Sequence, residues 1–259
     1  MSSRKEQKEQ ARLAREAKEQ EHAASQARAR RFWIIGGVVG LAAVAVIVAV
    51  VVSTQGTKVN KSTVDQINAR YAGLTQKSNV LGEPAAKATI VEYADLRCPF
   101  CQQFELDSMP TLINQVIKTG EAKLVFRNLT ILDQSSPSGN DSTNAANYAA
   151  AVGLQNHMFP YINNFYVMQK SETTDYADEA FLKSVAKGLT GINADEAWNN
   201  RSNPKATNQV ALATQLATAR GVSGTPTFFV GKDEKSATKV DLNDLSNPQP
   251  LIDAVNALQ

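Results

Sequence analysis

The sequence predicts an α/β protein with a mixed β-sheet and a helical insertion, preceded by one transmembrane helix. Three observations support this prediction: an uncharged segment at 32–52, a strand pattern at 88–93 that runs into two cysteines, and a mostly helical stretch from about 140 to 220 between strand patterns. Strands that alternate with helical segments are typical of layered α/β folds, and they fit neither an all-α nor an all-β architecture.

The charge distribution argues against a nucleic-acid-binding domain. The formal net charge is +2, but residues 1–31 hold nine basic and five acidic side chains, which leaves a net charge of −2 for the rest of the chain. Neutralising phosphates requires a basic surface, and the part of the sequence expected to fold does not supply one. We therefore expect no nucleic-acid partner and read residues 1–31 as a charged tail.

Residues 32–52 are expected to form an uncleaved signal anchor. Their length corresponds to about 30 Å of helix, which matches the hydrocarbon thickness of a bilayer. Three arginines precede the segment directly at positions 28, 30 and 31, whereas the flank after it is nearly neutral. The positive-inside rule then places residues 1–31 in the cytoplasm and the rest outside a plasma membrane, which suggests a bacterial cell.

Two other interpretations of this segment were considered. A cleaved signal peptide would have a shorter apolar core and a small-residue cleavage site, but the run ends in Val50-Val51-Val52. A buried helix that is apolar on all sides would need a much larger protein around it. Residues 53–61 are polar and are predicted to be a tether, and residues 62–259 are predicted to form the folded outer domain.

The remaining elements follow from periodicity and from turn residues. Apolar residues at helical spacing, Val64, Ile67, Tyr71 and Leu74, predict a helix from about Ser62. The sequence then predicts a strand over 88–93, a helix over 102–118 bent at Pro110 and closed by Gly120, a strand over 122–127, a helical block over about 140–220 with runs at 145–154, 178–189 and 209–220, strands over 227–230 and near 238–242, and a helix over 251–258.

Cys98 and Cys101 are the only cysteines, and their spacing indicates a redox pair. A thiol at a helix N-terminus is stabilised as the thiolate by unpaired N–H groups and by the helix dipole. Pro99 suits the first helical turn, where its missing N–H would have no partner. Arg97 would stabilise the thiolate further if its side chain turned towards it. The pair is therefore the candidate catalytic centre.

A zinc site is the alternative for this pair. Structural zinc takes four ligands, and the sequence offers only His22 and His157 besides the two cysteines. His22 is predicted to lie on the other side of the membrane. We therefore expect neither a metal nor a cofactor.

Glu92 is the next candidate, because a carboxylate in the apolar strand 88–93 is costly without a role or a partner. A buried acid near the second thiol could accept or return its proton during exchange. Alternatively, the carboxylate reaches solvent from the end of the strand. The residues alone leave both interpretations open.

Two separated motifs resemble the DsbA-like family of thioredoxin-fold oxidoreductases. The first runs from Val80-Leu81-Gly82-Glu83-Pro84 through Glu92 to Cys98-Pro99-Phe100-Cys101, and the second is Gly224-Thr225-Pro226-Thr227-Phe228-Phe229-Val230. The helical block between them matches that family's inserted domain in place and length. The resemblance covers about residues 62–258 and implies a thioredoxin-like sheet with a helical insertion.

The resemblance also implies a role for each site residue. Cys98 would be the reactive cysteine, Cys101 the buried resolving cysteine and Glu92 the buried acid. Pro226 would be cis beside the sulfurs, with Thr225 offering backbone hydrogen bonds to an extended substrate; a plain trans turn is the alternative. Phe100 departs from members that carry His there, so a cationic donor to the thiolate is missing.

The expected function is an extracytoplasmic thiol–disulfide oxidoreductase that introduces disulfides into secreted or surface proteins. The resemblance implies a membrane partner that reoxidises it, and the anchor would keep the two close. Two alternatives stay open: a reductase or isomerase of the same fold, and a non-catalytic, chaperone-like module that binds unfolded chains in the groove at Pro226. A third, weaker alternative is a structural anchor whose cytoplasmic tail carries the function.

Overall fold

The computed structural model describes residues 61–259. The predicted tail, anchor and most of the tether lie outside the described residues. Within 61–259, no helix has both the length and the apolar character needed to cross a membrane. The helices are α1 Lys61–Tyr71, α2 Pro99–Asp107, α3 Met109–Leu112, α4 Asp141–Leu154, α5 Met158–Met168, α6 Glu179–Ala186, α7 Ala194–Asn200, α8 Pro204–Ala219 and α9 Gln249–Asn256, with a π-helical turn Ile113–Ile117 and a 3₁₀ turn Ile131–Ser135.

The described residues contain one six-stranded mixed sheet in the order β1-β2-β4-β3-β5-β6. Its strands are β1 Gln76–Lys77, β2 Val80–Leu81, β3 Ala88–Ala94, β4 Ala122–Asn128, β5 Thr227–Gly231 and β6 Thr238–Val240. Strands β3 and β4 are parallel, and the other neighbouring pairs are antiparallel. The central strand β3 is buried along its whole length, which explains its nearly continuous apolar sequence.

Side-chain alternation along β3 divides the core between the two faces of the sheet. Ile90 and Ala94 point to the face covered by α2, α3 and α9, where they share a buried cluster with Cys101 and Phe104. Val91 and Tyr93 point to the opposite face, which α8 covers with small residues. Glu92 has the same parity as Ile90 and Ala94, so it lies beneath α2.

The helix predicted over 102–118 is interrupted in the structure. The break lies near Pro110, where the sequence predicted a bend. Helix α2 begins at Pro99, earlier than predicted, and ends at Asp107. Pro110 has no N–H to continue the helical ladder, and the Ser108 hydroxyl bonds instead to the Leu245 carbonyl at 2.6 Å. Helical structure then resumes as α3 and the π-helical turn. The segment closes at Gly120, whose φ of +78° is the left-handed conformation that glycine adopts readily.

The hairpin of β1 and β2 was not predicted from the sequence. Helices α5 and α7 fall within the predicted helical block but were not predicted as separate helices. Each hairpin strand has two residues, too few to show a period of two. Helix α5 is buried on most sides, so it lacks the polar stripe by which an amphipathic helix is recognised. The insertion itself spans α4 to α8, Asp141 to Ala219, close to the predicted 140–220.

A buried ion pair joins the helical insertion to the segment before the cysteines. Arg97 Nε lies 3.1 Å from Asp141 Oδ2, with the two side chains 0% and 4% exposed. The Arg97 guanidinium also donates to the carbonyls of Glu172 and Thr174, at 2.5 and 2.9 Å. The condition under which Arg97 would stabilise the thiolate is therefore not met, because these acceptors hold its guanidinium against the insertion.

Candidate active site

The two cysteines lie where β3 ends and α2 begins. Cys98 has extended backbone angles, φ −75° and ψ 122°, and Pro99 occupies the first helical position. The Cys98 N–H donates to the Asp95 carbonyl at 3.0 Å, and the Cys98 carbonyl accepts from the Gln102 N–H at 3.1 Å. Both cysteines are reduced and buried, with 4% of Cys98 and none of Cys101 exposed. The first thiol therefore sits at the positive end of the helix.

The two thiols have opposite pKa shifts. The pKa of Cys98 is lowered to about 7, chiefly because the Cys101 thiol donates a hydrogen bond to its sulfur; the Thr225 side chain and then the N–H groups of Cys101 and Phe100 add smaller contributions. The pKa of Cys101 is raised well above its ordinary value, first by burial and then by the neighbouring Cys98. At neutral pH Cys98 is therefore the nucleophile, and Cys101 keeps its proton.

Glu92 is a fully buried acid on the same face of the sheet. Its neighbours in register are Phe126 on β4 and Phe228 on β5, and neither of its carboxyl oxygens has a hydrogen-bond partner. Burial, followed by the nearby charge of Glu105, raises the pKa of Glu92 well above its ordinary range. The alternative in which this carboxylate reaches solvent is wrong, and burial favours the protonated form of Glu92.

A second buried acid, Glu105, was missed by the sequence analysis. Its Oε1 accepts hydrogen bonds from the Tyr71 hydroxyl at 3.1 Å and from Asn163 Nδ2 at 3.0 Å. Burial raises the pKa of Glu105 to about 7. It lies four residues after Cys101 on α2, so helical spacing already placed it on the same face as the buried cysteine. That spacing was the available signal.

The loop before β5 lies against the reactive sulfur. The Thr225–Pro226 peptide bond is cis, and Cys98 Sγ is 3.4 Å from the Thr225 carbonyl oxygen. The antiparallel register that pairs Tyr93 with Thr227 brings the end of β3 and the start of β5 to one edge of the sheet. Residues separated by 127 positions therefore meet at one site.

The dipeptide between the cysteines presents an apolar surface. Phe100 is 61% exposed, the largest exposed fraction among the large apolar side chains of the described residues. It stands in the first turn of α2 beside two buried thiols. The sulfur, the Thr225 carbonyl and this ring all belong to the outer edge of the site.

The alternative of a metal site gains no support from the described residues. Among them, no group of three or more His, Cys, Asp or Glu side chains is arranged to hold a metal ion. His157 precedes α5 as its cap residue and lines a cavity of about 700 Å³ together with Tyr71 and Pro160. His22 lies outside the described residues.

Comparisons with known proteins agree with this geometry. A family model described as thioredoxin matches residues 74–248. The "Probable disulfide bond formation protein D" of Bacillus anthracis is 26% identical over 167 residues, 64% of this chain and 74% of that protein. A structure of oxidised BdbD from Bacillus subtilis superposes with a TM-score of 0.58 at 20% identity, covering 71% of this chain and 96% of that one.

A second solved structure, DsbA from Chlamydia trachomatis, superposes with a TM-score of 0.56 at 18% identity. The match covers 70% of this chain and 92% of that one. At such low identities the solved structures establish the fold, a thioredoxin-like mixed sheet with inserted helices. The family match covers more than half of the chain and establishes the family.

The first prediction concerns the titration of Cys98. In the reduced full-length chain, alkylation by a haloacetamide should accelerate through one step centred near pH 7, because only the thiolate reacts. Replacing Cys101 with Ala should move that midpoint upward, since it removes the largest stabilising hydrogen bond. The Cys98→Ser variant should react only at much higher pH. A wild-type midpoint near 9 would contradict the assignment of the nucleophile.

The second prediction concerns Glu92 and the pH dependence of stability. The unfolded chain ionises this carboxyl above its ordinary pKa of about 4, whereas burial raises the pKa of the same group in the folded chain, so wild type loses stability as pH rises above about 4. Glu92→Leu should therefore raise the free energy of unfolding at pH 7 by about 1–3 kcal/mol more than at pH 4. Denaturant unfolding of the reduced chain measures both values.

Glu196→Leu is the matched control for this measurement, because Glu196 is exposed. It should show no gain in stability that grows with pH. If Glu92→Leu gave the same gain at pH 4 and pH 7, the raised pKa of Glu92 would be wrong.

Proposed function

This chain belongs to the thioredoxin family and is a DsbA-like protein-disulfide oxidoreductase, and we propose that it introduces disulfides into secreted or surface proteins outside the cytoplasm. The observation that carries this proposal is the split between the two thiols. Cys98 has a pKa of about 7 beside the Thr225 carbonyl, and Cys101 is buried with a raised pKa. In such a pair, Cys98 is the cysteine that forms the mixed disulfide with a substrate, and Cys101 reacts only with Cys98.

In the oxidase direction the reaction begins with the Cys98–Cys101 disulfide. A substrate thiolate attacks Cys98 Sγ, a mixed disulfide forms, and the bond to Cys101 breaks, which leaves the electron pair on the Cys101 sulfur. A second substrate thiolate attacks the substrate sulfur of the mixed disulfide and expels Cys98 as a thiolate. The substrate is oxidised to a disulfide and both enzyme cysteines are reduced, with two electrons transferred.

Glu92 is proposed as the proton donor for the first step. A newly formed Cys101 thiolate is unfavourable because that sulfur is completely buried. Burial favours the protonated form of Glu92, which lies on the face of the sheet beneath α2 and interacts electrostatically with Cys101. Transfer of its proton neutralises the leaving sulfur, and the reverse transfer accompanies reoxidation.

The groove at Pro226 is proposed as the substrate-binding site. The Thr225 carbonyl lies 3.4 Å from the reactive sulfur, so an extended substrate segment that bonds to this backbone brings its own cysteine to Cys98. Exposed Phe100 offers an apolar contact to the same segment. Unfolded chains expose apolar side chains, which makes this arrangement suited to incompletely folded substrates.

The pKa of Cys98 supports a disulfide donor of moderate strength. Stabilising the thiolate stabilises the reduced enzyme and makes its disulfide more oxidising. A value of about 7 resembles that of thioredoxin more than the much lower value of strongly oxidising enzymes. That observation favours a second candidate, a reductase or isomerase with the same site, and the reduction potential separates the two directions.

The proposal also includes the cellular location of the chain and its redox partner. The apolar segment 32–52, with its arginines on one side only, supports a single-pass plasma-membrane anchor with the catalytic domain outside. An oxidase that ends each cycle reduced needs an electron acceptor, and a membrane redox partner would meet it at high effective concentration.

The third prediction concerns the reduction potential of the full-length chain, purified in detergent and equilibrated with glutathione buffers. If the chain is a disulfide donor, its potential lies above the roughly −270 mV of thioredoxin, and we expect such a value; each ~30 mV shifts the equilibrium about tenfold. Cys98→Ser is the control and should show no exchange. A value near that of thioredoxin would support the reductase. Absence of exchange by wild type would support the non-catalytic, chaperone-like binding module, whose activity should survive replacement of both cysteines by Ser.

The fourth prediction concerns location. Because the two active-site cysteines are the only ones in the chain, a membrane-impermeant maleimide should label reduced wild type on intact cells and should not label Cys98→Ser. For the opposite side, Ser3→Cys in a chain without Cys98 and Cys101 should be labelled only after permeabilisation. Labelling of wild type that also requires permeabilisation would overturn the extracytoplasmic assignment.

A further inference from the structure

We infer that Gln169, in the helical insertion, is a positioning residue that holds the Cys98 loop in the conformation in which the thiolate is stabilised. This inference rests on the proposed function, because it concerns the same reaction. Gln169 directly follows α5 and is half-buried. No acid, thiol or aromatic ring is involved, so the residue gave no signal in the sequence.

The Gln169 side chain bonds to the backbone on both sides of Arg97. Its Nε2 donates to the Leu96 carbonyl at 2.7 Å and to the Cys98 carbonyl at 3.2 Å. One amide group therefore ties together the last loop residue before Arg97 and the residue that carries the reactive sulfur. The donor comes from an element about 70 positions away in the chain.

The Leu96 carbonyl depends on this donor. Leu96 is 1% exposed, and within residues 61–259 no other group donates to its carbonyl oxygen. The Cys98 carbonyl also accepts from the Gln102 N–H, so Gln169 adds a second bond at Cys98, whereas at Leu96 it supplies the one donor within the described residues. Without Gln169, a buried carbonyl would lack a partner, and the loop would move to find one.

Such a movement would act on the sulfur. Cys98 Sγ is stabilised by the Cys101 thiol and by the N–H groups of Phe100 and Cys101, which requires Cys98 to keep its extended backbone at the start of α2. Hydrogen bonds weaken steeply with distance and misalignment. A shift of the Cys98 backbone therefore raises the thiol pKa without removing any of these groups.

Two neighbouring hydrogen bonds also join this end of α5 to the segment around the cysteines. The Tyr166 hydroxyl donates to the Asp95 carbonyl at 3.2 Å, and Gln102 Nε2 donates to the Tyr166 carbonyl at 2.6 Å. Tyr166 is fully buried, so it supplies a rigid support. Gln169 differs from it in contacting the cysteine residue itself, which makes Gln169 the better place to test the coupling.

The test substitutes Gln169→Met, which keeps the length of the side chain and removes the donor. The matched control is Gln155→Met. Gln155 directly follows α4 and also bonds to a loop backbone, donating to the Asn193 carbonyl at 3.0 Å and accepting from the Asn193 N–H at 2.8 Å. That loop lies away from the cysteines. Both variants are made in the full-length chain and purified in detergent.

Three quantities are measured: the pH midpoint of Cys98 alkylation, the equilibrium constant with glutathione, and the thermal midpoint of the oxidised and reduced forms. For Gln169→Met we expect the alkylation midpoint to rise by about half a unit to one unit. We also expect the disulfide, equilibrated at pH 9 where the Cys98 thiol is fully ionised, to become a weaker oxidant by about three- to tenfold, where tenfold is about 30 mV. Gln155→Met should change neither quantity.

A purely structural role would lower the thermal midpoints of both redox forms equally and leave the potential unchanged, because the potential reports only the difference between the two forms. That outcome for Gln169→Met would overturn the inference. If this variant did not fold, Gln169→Leu, which is smaller, uncharged and also lacks the donor, should produce the same shifts. Absence of exchange by wild type would instead refute the proposed function.

Discussion

The register between β3 and β5 is the constraint on which the rest of the structure depends. Pairing Glu92 with Phe228 and Tyr93 with Thr227 places the loop that carries Cys98 against the loop that carries Pro226. A shift of one residue would turn Glu92 to the opposite face and withdraw the Thr225 carbonyl from the sulfur. The nearly complete burial of β3 makes such a shift costly, since it would bring polar groups into both cores.

Two opposing effects give the two thiols different roles. Hydrogen bonds at the N-terminus of α2 stabilise a charge on Cys98, while burial opposes a charge on Cys101 and on Glu92. Glu105 belongs to the same buried region, with Tyr71 and Asn163 as its donors. Burial favours the protonated forms of Cys101 and Glu92, whereas Glu105, with a pKa of about 7, is partly ionised at neutral pH. Proton movement among these groups can therefore accompany the change in the sulfurs.

The helical insertion also contributes to the active site. Its buried Asp141 binds Arg97, and its Gln169 and Tyr166 donate to backbone carbonyls of the loop before α2. A loop of this kind has few backbone partners of its own because it connects a strand to a helix. The insertion supplies the missing donors and acceptors, so the conformation of Cys98 depends on residues far away in the chain.

The sequence by itself determined the α/β class, the order of the main strands along the chain, the pair Cys98 and Cys101, the candidate Glu92 and the turn before β5, whereas the role of Pro226 came only from the family resemblance. These features have local signals: a period of two or of 3.6 residues, a four-residue spacing of thiols, a charge in an apolar strand and a turn before a strand. The hairpin strands were too short to show a period, and α5 was too buried to show a polar face.

Only the tertiary structure decided where side chains without a local pattern point. Arg97 follows the strand directly, yet it turns to Asp141 because the insertion offers a carboxylate and several carbonyls that satisfy a buried charge. Glu105 became part of the site only when α1 and α5 brought Tyr71 and Asn163 to it, and Gln169 only when α5 met the loop at Leu96. Such contacts join residues distant in the chain, so local periodicity and spacing do not reveal them.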